Sequence, residues 1–437
     1  MQLYGYDLPT TPNLNAYARR AVVFENAYCT ATNTDPSLTA IFTGKYPCVT
    51  GIHNHGARTT RSEIQRAERL QYLTEILRDN GFWTGAVDVS DRWHRKGFCE
   101  YLYQTKSNMY GLGSIGNEIL DSLHAYDFFF TVLSKRVPPK HLPPASLRAE
   151  DVTDNAIRLI RKWGNRRNFL FVHYWDTHTP YVPPQDFLRQ FLVPRNLGPL
   201  ARRTPLDIVG SFKHPFRKPI DVAWLRKLPS IEYALAAYDG AVAHVDQEIG
   251  RLLLEVENQG QSDRTIVVLT SDHGESLLEH GVFFDHHSLY EPVVKVPFVF
   301  LMPDQLLSCL KRGRIASCVS HVDLFPTLLG LAEIPYDLRK LNGLNCLPAM
   351  RGEGTKGVER PILMEESHFE RKRAIRLGRY KLIQSLDEKF QGCRFCGRAH
   401  GDRTELFDLE TDPHETKNLS TERPDLLMRV SALLDSP

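Results

Sequence analysis

Long apolar runs are missing from this chain. No window approaches the roughly 20 apolar residues that a membrane-spanning helix needs, and the N-terminus lacks a basic head followed by an apolar stretch. Both absences point to a cytoplasmic protein with no membrane span. Charge of one sign is lacking too: 54 Lys and Arg stand against 52 Asp and Glu, a formal net charge of +2. No global field therefore draws the chain to nucleic acid or anionic lipid, and any preference for anions has to be local. Cysteine is sparse, eight in 437 residues, which falls short of a disulfide scaffold and reads as reduced, structural thiol. What is present is 42% hydrophobic and 24% charged residues, the balance of a packed globular protein. The length suits two unequal domains, and composition says nothing of oligomeric state.

Periodicity alternates between helix and strand from the start. Thr10-Thr11-Pro12-Asn13 opens a proline-started helix, and a strand follows around Val22-Val23-Phe24. Residues 72–77 form a helix that halts at Asn80-Gly81, ahead of a strand over 83–87. Val152, Ala156, Leu159 and Ile160 have helical spacing, and 168–173 is a buried-strand run behind them. A long amphipathic helix over 231–254 precedes a second apolar strand, 265–270, which stops at Ser271-Asp272-His273-Gly274. This rhythm predicts an α/β fold with a mostly parallel sheet, and ligands in such sheets lie outside the carboxyl ends of the strands. Residues 183–229 turn proline-rich and basic, with Arg189, Arg195, Arg202, Arg203, Lys213, Arg217 and Lys218, and read either as a lid or as a solvated surface insertion. Past Arg351-Gly352-Glu353-Gly354 come short alternating segments at 374–376, 380–383 and 405–408, then a helix over 424–434. They suit a small antiparallel sheet. The expected division is a catalytic α/β domain over 1–352 carrying the 183–229 insertion, and an α+β subdomain over 353–437.

Polar clusters sit where these elements end. Ser271-Asp272-His273-Gly274-Glu275 sets a carboxylate beside an imidazole at a strand terminus, a donor pair that suits manganese, zinc or magnesium better than calcium. The plain alternative is a capping Asp with a hydrogen-bonded His. Thr32-Asn33-Thr34-Asp35-Pro36-Ser37 opens an amphipathic helix, where N–H groups and the dipole favour anions and a hydroxyl can serve as nucleophile. Simple N-capping by Thr34 or Asp35 is the alternative there. His173-Tyr174-Trp175-Asp176-Thr177-His178-Thr179-Pro180 ends a strand in two histidines, and Phe284-Asp285-His286-His287-Ser288 adds two more. One histidine is more often structural than functional; three histidine-bearing clusters at strand ends ask for more. Separately, Cys393-x-x-Cys396 with His400 reads as a small zinc site, a redox pair or a flexible loop.

The order of these motifs resembles the sulfatase family of the alkaline phosphatase superfamily, nearly end to end. Tyr4-Gly5-Tyr6 through Thr11-Pro12-Asn13-Leu14, and Phe24-Glu25-Asn26-Ala27-Tyr28, look like that family's first helix and the strand before its nucleophile. Thr34-Asp35-Pro36-Ser37-Leu38 with Thr43-Gly44-Lys45-Tyr46-Pro47 stands at its Cys/Ser-x-Pro-Ser-Arg signature, and Ser271-Asp272-His273-Gly274-Glu275 with Glu279-His280-Gly281 at its metal loop. Tyr290-Glu291-Pro292, Val296-Pro297, Asp323-Leu324-Phe325-Pro326-Thr327, Arg379-Tyr380-Lys381-Leu382-Ile383 and Glu405-Leu406-Phe407-Asp408-Leu409 match the remainder.

The resemblance implies a three-layer α/β/α sandwich with a small antiparallel C-terminal subdomain, a divalent ion (Ca, Mn, Zn or Mg) beneath the nucleophile, and a sulfate or phosphate ester as substrate. Carried over by position, Thr34 is the nucleophile and a metal ligand, and Asp272 and His273 are metal ligands. His178 and His286 fall where the family holds the anion and protonates the leaving oxygen; Lys45 and His287 are further substrate-binding groups. Three departures accompany it. Threonine cannot be oxidised to the formylglycine of true sulfatases, and resembles instead the family's phosphodiesterases and its phosphoethanolamine and phosphoglycerol transferases. Leu38 replaces an anion-binding arginine. The metal-binding acids that precede the Tyr-Gly segment have no room ahead of Met1, and the expectation is a natural start further upstream. The competing class is a binding protein that kept the fold without a complete metal site.

Overall fold

The computed structural model of the protein describes residues 1–90, 92–103, 148–198, 203–205, 207–208, 224–353, 360–367, 369–387, 393 and 398–434. Along the chain run β1 (Ala21–Tyr28), α1 (Thr34–Thr43), α2 (Leu73–Asp79), β2 (Trp83–Asp88), β3 (Glu100–Tyr103), α3 (Ala149–Trp163), β4 (Asn168–Val172) and α4 (Ile231–Asn258). They are followed by β5 (Val267–Thr270), β6 (Phe298–Leu301), β7 (Gly313–Ser320), α5 (Leu324–Leu331), β8 (Ile362–Glu366), β9 (Lys372–Leu377), β10 (Tyr380–Ser385), β11 (Thr404–Asp408) and α6 (Pro424–Leu434). These elements fall into two compact units. One is built mainly from Met1–Ala16 and Gly81–Gln261, the other from Tyr17–Asn80, Ser262–Arg394 and Arg398–Pro437.

In the first unit β3, β2 and β4 form a parallel sheet in that order. The apolar face of α3 covers it, with Val152, Ala156, Leu159 and Trp163 packed around Val87. Gly85 makes this packing possible, because a Cβ there would lie 2.1 Å from the Trp163 ring. The indole N–H groups of Trp83 and Trp163 both donate to Glu100, each at 2.9 Å. At its carboxyl end β2 presents the buried Asp88, whose carboxylate accepts from His173 at 2.7 Å and His94 at 2.8 Å. Burial pushes this carboxyl up, but the two imidazole hydrogen bonds outweigh it and hold Asp88 well below the usual carboxylate range. Of the basic stretch 183–229, residues 199–202, 206 and 209–223 lie outside the described residues. Arg195 within it is tied down by an ion pair to Asp239 at 2.7 Å and donates to the Tyr6 hydroxyl at 3.0 Å.

The second unit holds two sheets. The first has the order β5-β6-β1-β7 and is mixed: β1 runs parallel to β7 and antiparallel to β6, which is antiparallel to β5 as well. The sequence rhythm foretold the parallel component. The direction of β6 follows from its connection, since the chain returns from β5 through loop and a single short helix (Glu291–Val294) instead of a full crossover helix, and such a return pairs antiparallel. The second sheet, β11-β10-β9-β8, is antiparallel throughout, as the alternating segments required. Leu363, Ile375, Leu382 and Leu406 form its core with Leu426, Val430 and Leu434 of α6. No helix among the described residues is long and apolar enough to cross a membrane.

Glu405 of β11 is buried on the opposite face of this sheet from Leu406, and the Tyr290 hydroxyl donates to it at 2.9 Å. Burial pushes its carboxyl up to about 7. The folded state therefore holds a proton that the unfolded state has released, so this contribution is full below about 4.5, the ordinary value, and is lost as pH rises through about 7. Glu405→Gln keeps the shape and removes the titration. Thermal unfolding between pH 5 and 8 is expected to show the wild type losing Tm with rising pH more steeply than the variant; parallel profiles would disprove the assignment.

Candidate active site

Helix α1 is buried on every side: each of its ten residues is enclosed. Such a helix cannot leave polar groups to solvent, and its hydroxyls are satisfied internally. Thr39 and Thr43 donate to the carbonyls of Asp35 and Thr39, at 2.6 and 2.7 Å. Asn33 caps the start in an extended conformation, Pro36 sits in the first turn where its missing N–H costs nothing, and Gly44 closes the end in the left-handed region with φ 65°. Thr34 is thus the first residue of a dipole whose positive end is fixed in a buried setting. Asp35 is committed elsewhere, accepting from the Gly56 N–H at 3.0 Å with His55 Nδ1 also at 3.0 Å.

One turn on, Ser37 Oγ donates to the Asp272 carbonyl at 2.6 Å and lies 3.1 Å from His321 Nδ1. Residues three apart share a helix face, so the loop after β5 stands against the face that carries Thr34. Burial pushes His321 down to about 4, leaving a neutral imidazole as Ser37's partner. Asp272 Oδ1 accepts from the His273 N–H at 3.0 Å, and its Oδ2 lies 3.5 Å from His273 Nε2. His273 Nδ1 lies 2.9 Å from the Gly274 carbonyl, an acceptor that sets the tautomer with the proton on Nδ1 and leaves Nε2 basic. His286 is held alike, its Nδ1 donating to the Thr32 carbonyl, two residues ahead of Thr34. The His273 and His286 rings stack with centroids 4.1 Å apart.

Gly274 explains how the loop is held. Its N–H donates to the Val293 carbonyl at 2.7 Å, and a Cβ would lie 2.3 Å from the Pro292 carbonyl oxygen. Gly274→Ala must therefore move backbone, and is expected to destabilise by about 1–3 kcal/mol. Chemical denaturation checks this; an unchanged midpoint would contradict the close approach.

A sulfatase family model matches residues 1–334, and a second, described as N-sulphoglucosamine sulphohydrolase, C-terminal, matches 278–432. The chain belongs to the sulfatase family. Among sulfatase relatives, the N-acetylglucosamine-6-O-sulfatase of Bacteroides thetaiotaomicron is 24% identical, over 96% of this chain and 80% of its own. Arylsulfatase K of Xenopus laevis is also 24% identical, over 98% and 78%. A solved structure in complex with its substrate D-glucosamine-2-N,6-O-disulfate superposes with a TM-score of 0.69 at 19% identity, covering 100% of this chain and 94% of that one. Another, in complex with k-i-k-neocarrahexaose, has a TM-score of 0.67 at 20% identity, covering 97% and 86%. The likeness establishes the fold: α/β with a separate antiparallel C-terminal sheet. Sulfatases are sulfuric ester hydrolases, and the family generally uses a divalent metal ion.

Against the sulfatase pattern, Thr34, Asp272, His273 and His286 gather at the first turn of α1. Lys45 does not join them. It follows Gly44 at the opposite end, about 15 Å along the axis at 1.5 Å per residue. His287 has other neighbours: it is buried, its ring 5.2 Å from that of His400 and 5.7 Å from that of Phe369. His178 lies in the other compact unit, its ring stacked on Trp175 at 4.5 Å and its Nδ1 2.7 Å from the Thr179 carbonyl. Ser37 and His321 escaped the sequence reading; the serine of the Pro-Ser pair carried the signal, while nothing local marks His321. For a divalent ion the chemistry of the pair Asp272 and His273 is right, carboxylate oxygen beside imidazole nitrogen. Among the described residues no third His, Cys, Asp or Glu joins them at ligand spacing, so they could offer an ion only part of a coordination shell, which the Thr34 hydroxyl would extend.

Proposed function

We propose that this sulfatase-family chain cleaves a sulfate or phosphate ester through the Thr34 hydroxyl, with a sugar-linked ester as the substrate class. One observation carries the reading: a hydroxyl opens a buried helix, and beside that opening stand two stacked imidazoles whose Nδ1 atoms are both engaged by main-chain carbonyls. The sugar class is supported by relatives and neighbours named for N-acetylglucosamine-6-O-sulfatase activity and for a bound glucosamine disulfate.

The Thr34 main-chain N–H, at the positive end of the helix dipole, receives the anionic group. Thr34 Oγ1 bonds to sulfur or phosphorus as the bond to the ester oxygen breaks, its proton passing to solvent. His286, as imidazolium, gives its Nε2 proton to the leaving oxygen. Water, giving a proton to the now neutral His286, then attacks the Thr34 ester, and Oγ1 departs and takes a proton from solvent. An alcohol in place of water makes the same step a transfer. Asp272, His273 and the Thr34 hydroxyl would hold the divalent ion, which when bound supplies positive charge against the oxygens of the group in transfer.

A second reading, a sulfatase-like binding protein without turnover, is favoured by the two-residue donor set and by Leu38 at the arginine position. Intact-mass measurement after brief exposure to a bis-aryl phosphodiester and to an aryl sulfate separates the two. A covalent adduct present in the wild type and lost in Thr34→Ala supports cleavage. Binding of the ester with no adduct and no product supports the second reading, and turnover undiminished in Thr34→Ala sinks the Thr34 chemistry.

A further inference from the structure

His287 left the active-site face for a different set of partners. In the interior of the second unit, one ligand atom each from His287, Cys393 and His400 lies within 4.8 Å of the others, and all three residues are buried. Donors around a tetrahedral zinc stand about 3.4–3.8 Å apart, given metal–ligand bonds of about 2.0–2.3 Å, so rotamer adjustments of about an ångström close the set. We propose that His287, Cys393 and His400 form a structural zinc site, with Glu370 as fourth donor, separate from the site at Thr34.

Four features of the surroundings agree. His287 Nδ1 lies 3.3 Å from Asp285 Oδ1, and His400 Nδ1 lies 3.4 Å from the His280 carbonyl. The His280 carbonyl thus gives His400 an outer acceptor for its Nδ1 proton and leaves its Nε2 to face Glu370, the arrangement in which metal-bound histidines are held. Glu370 is buried, and its Oε1 lies 3.8 Å from His400 Nε2 and accepts no hydrogen bond among the described residues. Charge also calls for a cation. Glu370 and Glu366 are both buried here, the Glu370 N–H donating to Glu366, and Lys372, 3.1 Å from Glu370 Oε2, is the ammonium beside them. With Cys393 as thiolate, its proton released on binding, the sulfur and the Glu370 carboxylate bring two negative charges to the donor set, which a divalent ion balances. Finally, a sulfur donor with two imidazoles selects zinc over magnesium or calcium.

Such an ion would clip the segment between β10 and β11 to the loop that carries His286. The sequence also offers Cys396, which lies outside the described residues.

Cobalt substitution of the purified full chain tests this. Expected are a thiolate-to-cobalt charge-transfer band and tetrahedral d–d bands, with roughly one zinc per chain that survives dialysis. Cys393→Ser should lose the charge-transfer band, and His400→Gln should weaken zinc binding at least about tenfold. Asp272→Asn should leave the band in place, which separates this site from any ion at Thr34. X-ray absorption on the zinc-loaded wild type, which needs no variant to fold, should find one sulfur among the ligands. Absence of sulfur from the zinc shell, or an unchanged band in Cys393→Ser, would overturn the proposal.

Discussion

Thr34→Val is expected to lower kcat/KM for an aryl ester by about a thousandfold or more, while Thr34→Ser keeps activity within about tenfold of the wild type. Valine is nearly isosteric and equally β-branched, so at a position exposed by only 2% it leaves the packing of α1 in place and removes the nucleophilic oxygen alone. Serine retains the oxygen and loses a methyl. Steady-state kinetics on both variants, with Tm measured alongside, separates loss of chemistry from loss of fold. A Val variant with wild-type turnover would leave Thr34 as nothing more than the first residue of a helix.

Lys381→Met is expected to destabilise the protein by about 3–5 kcal/mol. The Lys381 ammonium is wholly enclosed in β10, 3.0 Å from Glu291 Oε1 and 2.7 Å from Glu415 Oε1. Burial alone would push it down, but the two carboxylates outweigh that and hold it above the usual lysine range. The Glu291 N–H donates to Glu415 at 2.6 Å, and the Tyr28 hydroxyl donates to Glu291 at 3.0 Å. Removing the cation leaves two acids in a low-dielectric interior with one partner group gone, and breaking one member of a buried ion pair costs more than the pair is worth. Adding Glu415→Gln to Lys381→Met should recover part of the loss in chemical denaturation. A single variant within about 1 kcal/mol of the wild type would mean the cluster is wetter than its burial indicates. The effect reaches function through Glu291, whose neighbour Pro292 supplies the carbonyl against which Gly274 packs.

Elements with a strong local pattern were legible from sequence. The β2, β4 and β5 strands are apolar runs bounded by turn signals, and α3 and α4 announce themselves by helical spacing. The loops bearing Asp272, His273 and His286 could be placed because chemistry in α/β sheets concentrates at strand ends. What stayed hidden was non-local. The pairing of β1 with β7 depends on residues some 290 positions apart, and no periodicity in either strand names its partner or direction. Nor does local pattern show that Lys381 and Glu405, charged residues of short alternating segments, are both buried. Lys45 looked like a substitute for the missing arginine only because distance along the chain does not reveal which pole of α1 it occupies. His287 looked like a twin of His286, yet its ring stands beside that of His400 while the His286 ring stacks on His273.

The enclosure of α1 along its whole length carries one more consequence. Mobile ions reach an exposed helix end and blunt its field within about 8 Å at physiological salt. Protein encloses this helix along its length, so an anion docked at its terminus takes up the approach that such ions would need. An oxyanion docked there should feel nearly the same pull in dilute buffer as in molar salt, so its affinity should be almost flat with ionic strength, unlike that of a ligand held by surface lysines or arginines.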